Sequence, residues 1–333
     1  MKDSLILRLM RKLVSIWKTL ALFLGSGLML LIIFVGFLII LIFSSTSDLE
    51  STNLSKKEIF RGSNQEIAVV RLSGEIVSAA DDSFWGYNPF SINPQQIRQF
   101  VHNLSQLSDV KAVLVVINSP GGSVAASEEI YQQIRVLSEA KPTYVFFEEM
   151  GTSGAYYIAL PAKKIYASIP TITGSIGVIA YNPDLSGLME KVGVNLTTYQ
   201  SGSLKDFGSP TRPESEQERQ IFESIIDDSY QLFIDRIEAN RDLERSRILE
   251  LADGRIYSGK QAVENGLIDA TSSMNGAIGL VASEENLDSP TVMEYSLGRS
   301  WFTGMVGSSL GSLIPASFLN QQLLNSRAGL YFL

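Results

Sequence analysis

Apolar and polar positions along this chain follow two patterns that predict different elements. Continuous apolar runs such as Lys111–Ile117 are typical of strands buried on both faces of a sheet. Segments such as Pro94–Leu107, with apolar residues every three to four positions, predict helices with one buried face. Strands are predicted at 66–77, 111–117, 143–147, 164–167 and 195–200, and helices at 94–107, 124–140, 185–192, 214–240 and 259–266. Because the two kinds of segment alternate, the expected fold is a layered α/β domain.

The N-terminal segment differs from the rest of the chain. Residues 1–18 carry five basic side chains against one acid, and residues 20–43 form an uncharged run of 24 residues. A helix of that length rises about 36 Å, which is enough to cross the hydrocarbon core of a bilayer. The run therefore predicts one N-terminal transmembrane helix at 19–44. A cleavable signal peptide is the competing interpretation, although its apolar region is usually only about 7–15 residues long.

The basic residues also set the expected orientation. Because the cationic side of an anchor stays in the cytoplasm, we expect a single-pass protein of the cytoplasmic (inner) membrane with its N-terminus inside. Everything after the anchor would then lie on the extracytoplasmic (periplasmic) side. Residues 45–65 are rich in Ser, Thr, Lys and Glu and predict a linker, and the globular pattern begins at residue 66.

Composition excludes several classes of function. The chain has 333 residues, a net charge of −8 and no long basic block beyond its N-terminus, so no nucleic-acid partner is expected. The absence of cysteine excludes disulfides, thiol catalysis and thiolate metal sites. The single histidine, His102, has no motif around it and is interpreted as a surface or structural residue. No metal or nucleotide is expected as a cofactor.

The segment 150–159, which reads MGTSGAYYIA, places Ser153 between two glycines at the start of a helical run. Glycines allow a sharp turn and a close approach to a substrate. Unpaired N–H groups at a helix start can stabilise the negative charge that develops during acyl transfer. Ser153 is therefore a candidate nucleophile. A helix N-cap is the competing interpretation, because serine is among the preferred capping residues.

A nucleophilic serine needs a base, and Lys205 is a candidate in a loop rich in glycine and proline. A lysine can accept a proton when burial lowers the pKa of its amine. Ser175 could hydrogen-bond this amine and orient it. An ordinary solvated lysine and a turn serine are the competing interpretations of the two residues.

The turn that follows the strand at 111–117 contains Gly121 and Gly122. Its backbone N–H groups, together with that of Gly154, could form an oxyanion hole for a substrate carbonyl. The same turn could equally bind a phosphate, but no P-loop or dinucleotide fingerprint accompanies it.

Six short motifs occur in a fixed order along the chain. They are Asn118-Ser-Pro-Gly-Gly-Ser123, Gly151-Thr-Ser-Gly-Ala-Tyr-Tyr157, Thr173-Gly-Ser-Ile-Gly177, the segment from Gly202 to Arg212, Ala252-Asp-Gly-Arg255 and the segment from Gly259 to Asp269. Together they resemble the signal peptide peptidase A family of membrane-anchored serine–lysine proteases. The resemblance covers residues 66–285 and suits the short, single-domain members, and it leaves 286–333 as a C-terminal extension. Ala155 departs from the pattern, since many relatives have glycine there.

This resemblance implies a crotonase/Clp-protease-like layered α/β fold for the peptidase domain, 66–285. Ser153 would be the nucleophile, Lys205 the general base and Ser175 the hydroxyl that orients the lysine. Backbone N–H groups near Gly121, Gly122 and Gly154 would form the oxyanion hole, with the choice between the two early glycines left open.

The resemblance also implies partners. Apolar peptides, above all signal peptides already cleaved from secreted proteins, would be the substrates of a serine endopeptidase acting through an acyl-enzyme. The short members assemble as a homo-octameric ring in which neighbouring subunits complete each active site. Contact with membrane lipid is expected through residues 20–43.

Three alternatives stay open at this point. A related membrane protease acting on stomatin-like partners would share the same dyad. An acyl-CoA hydratase or isomerase on the same fold would need acidic groups at the site, for which Glu148 and Glu149 are the nearby candidates. A non-catalytic ring scaffold would have no reason to retain both Ser153 and Lys205.

Overall fold

The computed structural model describes residues 54–78 and 91–297, the strand pair 331–332, and residues 29, 31–34 and 36–37 near the N-terminus. The chain divides into two units, 1–53 and 54–333. In the first unit the described residues are helical. Over the described ranges, no helix is both long and apolar enough to cross a membrane. Most of the predicted anchor at 19–44 lies outside these ranges.

The second unit alternates strands and helices as the sequence predicts. The strands are β1 (Leu54–Phe60), β2 (Ser63–Ser73), β3 (Glu75–Ile76), β4 (Ser91–Ile92), β5 (Val110–Ser119), β6 (Gly122–Ser123), β7 (Thr143–Thr152), β8 (Lys164–Ala167), β9 (Ile172–Gly174), β10 (Ile256–Ser258), β11 (Ala270–Thr271), β12 (Pro290–Leu297) and β13 (Tyr331–Phe332). The helices are α1 (Pro94–Ser105), α2 (Val124–Ala140), α3 (Gly154–Ala159), α4 (Ser186–Val192), α5 (Glu216–Asn240), α6 (Arg245–Leu251), α7 (Gly259–Glu264) and α8 (Met274–Glu284).

Two sheets organise these elements. The larger has the order β1-β12-β2-β5-β7-β8-β11, with β9 pairing both β7 and β10. Its strands from β12 to β11 are parallel along this path, and β1 is antiparallel to β12. The smaller sheet has the order β13-β6-β3-β4. The mixed α/β class predicted from the alternation is confirmed.

The central strands of the larger sheet are buried on both faces, which explains the continuous apolar runs. In β5, Val113, Val115 and Ile117 belong to the core on one face, together with buried residues of α1, α2, α3 and α5. The intervening Ala112, Leu114 and Val116 belong to the core on the other face, together with residues of α8. Neither face of the strand meets water, so no polar alternation is needed.

The structure differs from the prediction at three places. β1 lies in the predicted linker and β12 in the predicted C-terminal extension, so the sheet extends beyond the predicted limits of 66 and 285. β1 is a mostly exposed strand with polar side chains, which is why its sequence reads as a tether. The strand predicted at 195–200 is wrong: this segment is exposed and has no regular structure.

Candidate active site

The polypeptide turns sharply where β7 ends and α3 begins, and Ser153 occupies this turn. Its φ of 55° and ψ of −119° are unusual for a residue with a side chain and cost about 1–3 kcal/mol. Its N–H donates to the carbonyl of Gly174 at 2.7 Å, and its own carbonyl accepts from the N–H of Tyr157 at 2.9 Å. A strained strand-to-helix turn of this kind presents the nucleophilic serine of α/β-hydrolases.

The Ser153 hydroxyl takes no part in capping the helix that follows. Its Oγ is buried and has no hydrogen-bond partner among the described residues, and no side-chain cap bond forms at the start of α3. A buried hydroxyl without a partner is costly. Ser153 therefore stands at the N-cap position of α3 without capping the helix through its side chain, and its hydroxyl is not used by the fold.

Three glycines pack beside Ser153. A Cβ on Gly154 would lie 3.2 Å from the nitrogen of Gly122 and 3.4 Å from the Cα of Gly121. A Cβ on Gly122 would lie 2.1 Å from the carbonyl oxygen of Ile76, so only glycine fits between β3 and this turn. The three predicted oxyanion-hole glycines are thus brought together with the serine.

The two early glycines are not equivalent. The N–H of Gly121 donates to the buried Ser119 Oγ at 3.1 Å, so this donor is already engaged. The nitrogen of Gly122 lies against Gly154, and Gly122 is paired in the smaller sheet with Ile76 of β3 and Phe332 of β13. Within this chain both early glycines are therefore engaged, Gly121 through Ser119 and Gly122 through its neighbouring strands.

Ser175 also lies next to the turn. It follows Gly174, whose carbonyl receives the Ser153 N–H, and its φ is 50°. Its own N–H donates to the carbonyl of Arg255 at 2.8 Å, and the N–H of Gly254 donates to the carbonyl of Ile176 at 3.1 Å. The 252–255 motif therefore supports the backbone that carries Ser175.

Lys205 and Ser153 are not hydrogen-bonded to each other in this chain. Lys205 is exposed, whereas Ser153 is fully buried. The Lys205 amine has no hydrogen bond or ion pair with another described residue. His102 is exposed on α1, as its interpretation as a surface residue expected.

The loop of Lys205 is held by a guanidinium. Arg212 forms ion pairs with Asp206 and Glu218, each at 2.8 Å, and the Glu218 side chain is only 1% exposed. Hydrogen bonds from Arg212 lower the pKa of both carboxyls from their ordinary values, and Ser215 contributes at Glu218.

These lowered pKa values predict an acid-sensitive stability. A carboxyl whose folded pKa is depressed stabilises the fold above its unfolded pKa, about 4.3 for Glu218, and loses that contribution as the pH falls through the folded value. Glu218→Gln should therefore unfold at lower denaturant concentration than wild type at neutral pH, and the difference between the two midpoints should narrow as the pH falls from about 5 to about 3. Urea unfolding across this range checks the effect. A gap that stays constant with pH would show that the ionisation of Glu218 does not matter.

Sequence reasoning missed Ser127. Its side chain is fully buried on the apolar face of α2, its Oγ has no partner among the described residues, and that oxygen lies 2.6 Å from where a Cβ on Gly154 would sit. The signal was available in the sequence, because Ser127 occupies a position on the apolar stripe of α2 together with Ile130 and Ile134.

Over the described ranges, no group of three or more acidic or histidine side chains could hold a metal ion.

Comparison with known proteins finds similarity to peptidases. The model of Peptidase family S49 matches residues 135–288, and that of Clp protease matches residues 91–170. A protein named signal peptide peptidase SppA from Enterococcus faecium is 35% identical over 269 residues, which cover 79% of this chain and 76% of that protein. A protease of Methanocaldococcus jannaschii is 34% identical over 311 residues, 90% of this chain and 98% of its own. A solved ClpP1 variant from Listeria monocytogenes aligns with a TM-score of 0.40 at 16% identity, over 62% of this chain and 93% of that one.

Proposed function

The chain belongs to peptidase family S49, the family of signal peptide peptidase A, and is a serine protease; from this premise we propose that it is a membrane-anchored endopeptidase with a Ser153–Lys205 dyad. The observation that carries the proposal is the strained turn at Ser153, with its buried, unpartnered hydroxyl. No structural role within the described residues uses this hydroxyl. A nucleophile has to be free of such a role.

The proposed reaction is acyl transfer in two stages. Lys205 takes the proton of Ser153 Oγ as that oxygen attacks the scissile carbonyl, and returns it to the departing amine. The N–H groups of Gly122 and Gly154 stabilise the negative oxygen of the tetrahedral intermediate. Water then hydrolyses the acyl-enzyme with the lysine acting again as base, while Ser175 orients the amine.

The substrate in this proposal is an extended peptide. The strand β6 contains Gly122, and in this chain its edge pairs antiparallel with β13, with Phe332 opposite Gly122 and Tyr331 opposite Ser123. A peptide can add to a strand edge through main-chain hydrogen bonds. We propose that an apolar, unfolded segment takes the place of β13 on this edge and brings a carbonyl to the glycines, which suits the degradation of cleaved signal peptides.

The absence of a hydrogen bond between Lys205 and Ser153 within one chain supports a site completed by a second copy of the chain. The segment from 181 to 199 exposes a row of apolar side chains, and no residue of α4 within it is buried. The row comprises Tyr181, Leu185, Leu188, Val192, Val194, Leu196 and Tyr199, which are between 45% and 93% exposed. A surface of this kind marks a protein contact. We therefore propose that the chain forms a homo-octameric ring in which Lys205 of one copy acts as the base for Ser153 of the neighbouring copy.

The membrane location rests on the sequence. The uncharged run at 20–43 follows a basic segment, so the anchor would hold the protease on the extracytoplasmic side of the cytoplasmic membrane. A protease acting on stomatin-like partners differs from this proposal only in its substrate. A hydratase or isomerase would need an acidic side chain at the site. Neither candidate supplies one, because Glu148 pairs with Arg71 at 3.1 Å and Glu149 is exposed.

Covalent labelling tests the nucleophile. The full chain in detergent is treated with a fluorophosphonate that carries an apolar peptide, and the modified residue is identified by mass spectrometry of a digest. We expect one adduct, on Ser153, and much slower labelling of Lys205→Ala because the proton of the hydroxyl then has no acceptor. An adduct on another serine, or equal labelling rates for the two proteins, would refute the dyad.

A further inference from the structure

The loop that carries Lys205 has almost no apolar anchorage of its own. From residue 193 to residue 217 no side chain is buried, and the first buried one is Glu218 in the first turn of α5. A loop without a buried apolar contact would ordinarily sample many conformations. What fixes this one is a polar network around Arg212.

Arg212 joins the middle of the loop to the first turn of α5. Its Nε and Nη2 donate to the two carboxylate oxygens of Asp206, both at 2.8 Å, and its Nη1 and Nη2 donate to the two oxygens of Glu218, also at 2.8 Å. Two further bonds reach the carbonyl oxygens of Asp206 at 3.4 Å and Pro213 at 3.1 Å. A planar guanidinium can hold two carboxylates in this way, whereas an ammonium cannot.

Glu218 is itself fixed on its other side. It accepts from the N–H and the hydroxyl of Ser215, at 2.8 and 2.7 Å, and more weakly from the N–H of Gly208 at 3.4 Å. A nearly buried carboxylate is kept in proteins only when it is paired and hydrogen-bonded. The helix α5 therefore provides a rigid base on which Arg212 holds the loop.

The network acts directly beside Lys205. Asp206 is its neighbour in sequence, and the N–H of Lys205 donates to the carbonyl of Gly202 at 3.0 Å, so the backbone here is a closed turn. The ring of Phe207 lies 4.5 Å from that of Phe222 on α5. The main chain on both sides of Lys205 is thus tied to α5, while the Lys205 amine stays free of bonds to described residues. Asp206 is turned to Arg212 and does not pair with the amine next to it.

We propose that Arg212 is a positioning residue for Lys205, which fixes the lysine loop to α5 through Asp206 and Glu218 and keeps the Asp206 carboxylate away from the amine. The inference rests on the proposed role of Lys205 as the base. It assigns a function to the Gly202–Arg212 motif beyond the lysine itself.

The first test compares Arg212→Met with a matched variant. Arg245 also bridges two carboxylates of α5, Asp235 at 2.6 Å and Glu238 at 2.7 Å, at the opposite end of the helix from Arg212. Hydrolysis of a fluorogenic apolar peptide by the full chain is measured for both. We expect Arg212→Met to lower kcat at least about tenfold with KM changed less than about twofold, because binding does not involve the lysine. Arg245→Met should keep the wild-type kcat. Arg212→Lys should lower kcat nearly as much as Arg212→Met, because an ammonium group cannot bind two carboxylates in the bidentate way that a guanidinium does.

A second test separates positioning from general damage to the fold. Arg212→Met is co-expressed with Ser153→Ala, and in parallel with Lys205→Ala, and ring assemblies containing both chains are purified. We expect activity to rise in the first mixture, because the Ser153→Ala chain contributes an intact lysine loop, and not to rise in the second. Activity restored equally by both partners, or a fall in kcat for Arg245→Met equal to that for Arg212→Met, would overturn the proposal.

The control mixture of Ser153→Ala with Lys205→Ala shows where a failure lies. If this mixture is inactive, the dyad is not shared between chains. The role of Arg212 is then tested by the kcat and KM values alone, and it is refuted if Arg212→Met and Arg245→Met have the same kcat. If Lys205→Ala is itself fully active, the proposed base is wrong and the role of Arg212 falls with it.

Discussion

Ser153→Ala is expected to lower kcat by about 10⁴-fold or more, since the nucleophile of a hydrolase acts as a unit with its base. The free energy of unfolding of the Ser153→Ala variant should not fall below that of wild type. The hydroxyl is buried and unpartnered among the described residues, so removing it eliminates an unsatisfied group that costs about 1–3 kcal/mol. Alanine keeps the Cβ, so the strain of the turn is unchanged. Peptide hydrolysis and thermal unfolding of the same preparation measure both effects.

A matched serine serves as the control. Ser229→Ala removes an exposed hydroxyl from the long helix α5, where it bonds the carbonyl of Ile225, and should leave kcat and Tm near wild type. If Ser153→Ala retained more than a small fraction of the wild-type rate, the strained turn would need another explanation. A large loss of Tm would show that the hydroxyl has a structural partner after all.

Two inactive variants should restore each other when they assemble together. In a ring with sites shared between neighbours, Ser153→Ala supplies an intact Lys205 and Lys205→Ala supplies an intact Ser153. With random assembly of equal amounts, about one quarter of the sites receive both intact groups, so about one quarter of the wild-type activity should return. Because nucleophile and base act as a unit, Lys205→Ala should lose about as much activity as Ser153→Ala, about 10⁴-fold, so the expected gain over either variant alone is on the order of 10³-fold.

Co-expression with two different affinity tags, followed by purification on both, gives the mixed assemblies. Separately purified variants combined without exchange of subunits are the control and should stay inactive. An inactive mixed assembly of normal size would show that Lys205 serves the Ser153 of its own chain. In that case the loop from 193 to 215 must move to bring the lysine to the serine.

The sequence predicts the buried part of this fold well and its margins poorly. The run in β5 and the amphipathic pattern of α1 give correct elements, because burial on two faces or one face selects the residues directly. β1 escapes prediction because an edge strand facing water needs no apolar pattern. The segment 195–200 is predicted to be a strand from its apolar residues, but it is exposed and forms no β-ladder with the described residues. An apolar pattern alone therefore does not show that a segment is part of a sheet.

The candidate site shows the same division. The glycines and serines next to Ser153 are recognisable because a tight turn restricts residue type, and the structure brings Gly122, Gly154 and Ser175 to the serine. Ser127 is less visible, since a serine on an apolar stripe is easily taken for a tolerated substitution. The partners of Arg212 cannot be read from sequence, because a guanidinium reaches its carboxylates across a loop whose path no periodicity describes.

The position of β12 has a consequence for the order in which the molecule is made. β1 and β2 are joined by only two residues, Arg61 and Gly62, yet β12 lies between them in the sheet. The ribosome completes β2 at residue 73 and begins β12 at residue 290, which is 217 residues later (290 − 73). Contacts of such long range form slowly. One side of the sheet thus stays open until nearly the whole domain has been synthesised, so β2 keeps an unpaired edge for most of the time that the chain is being made.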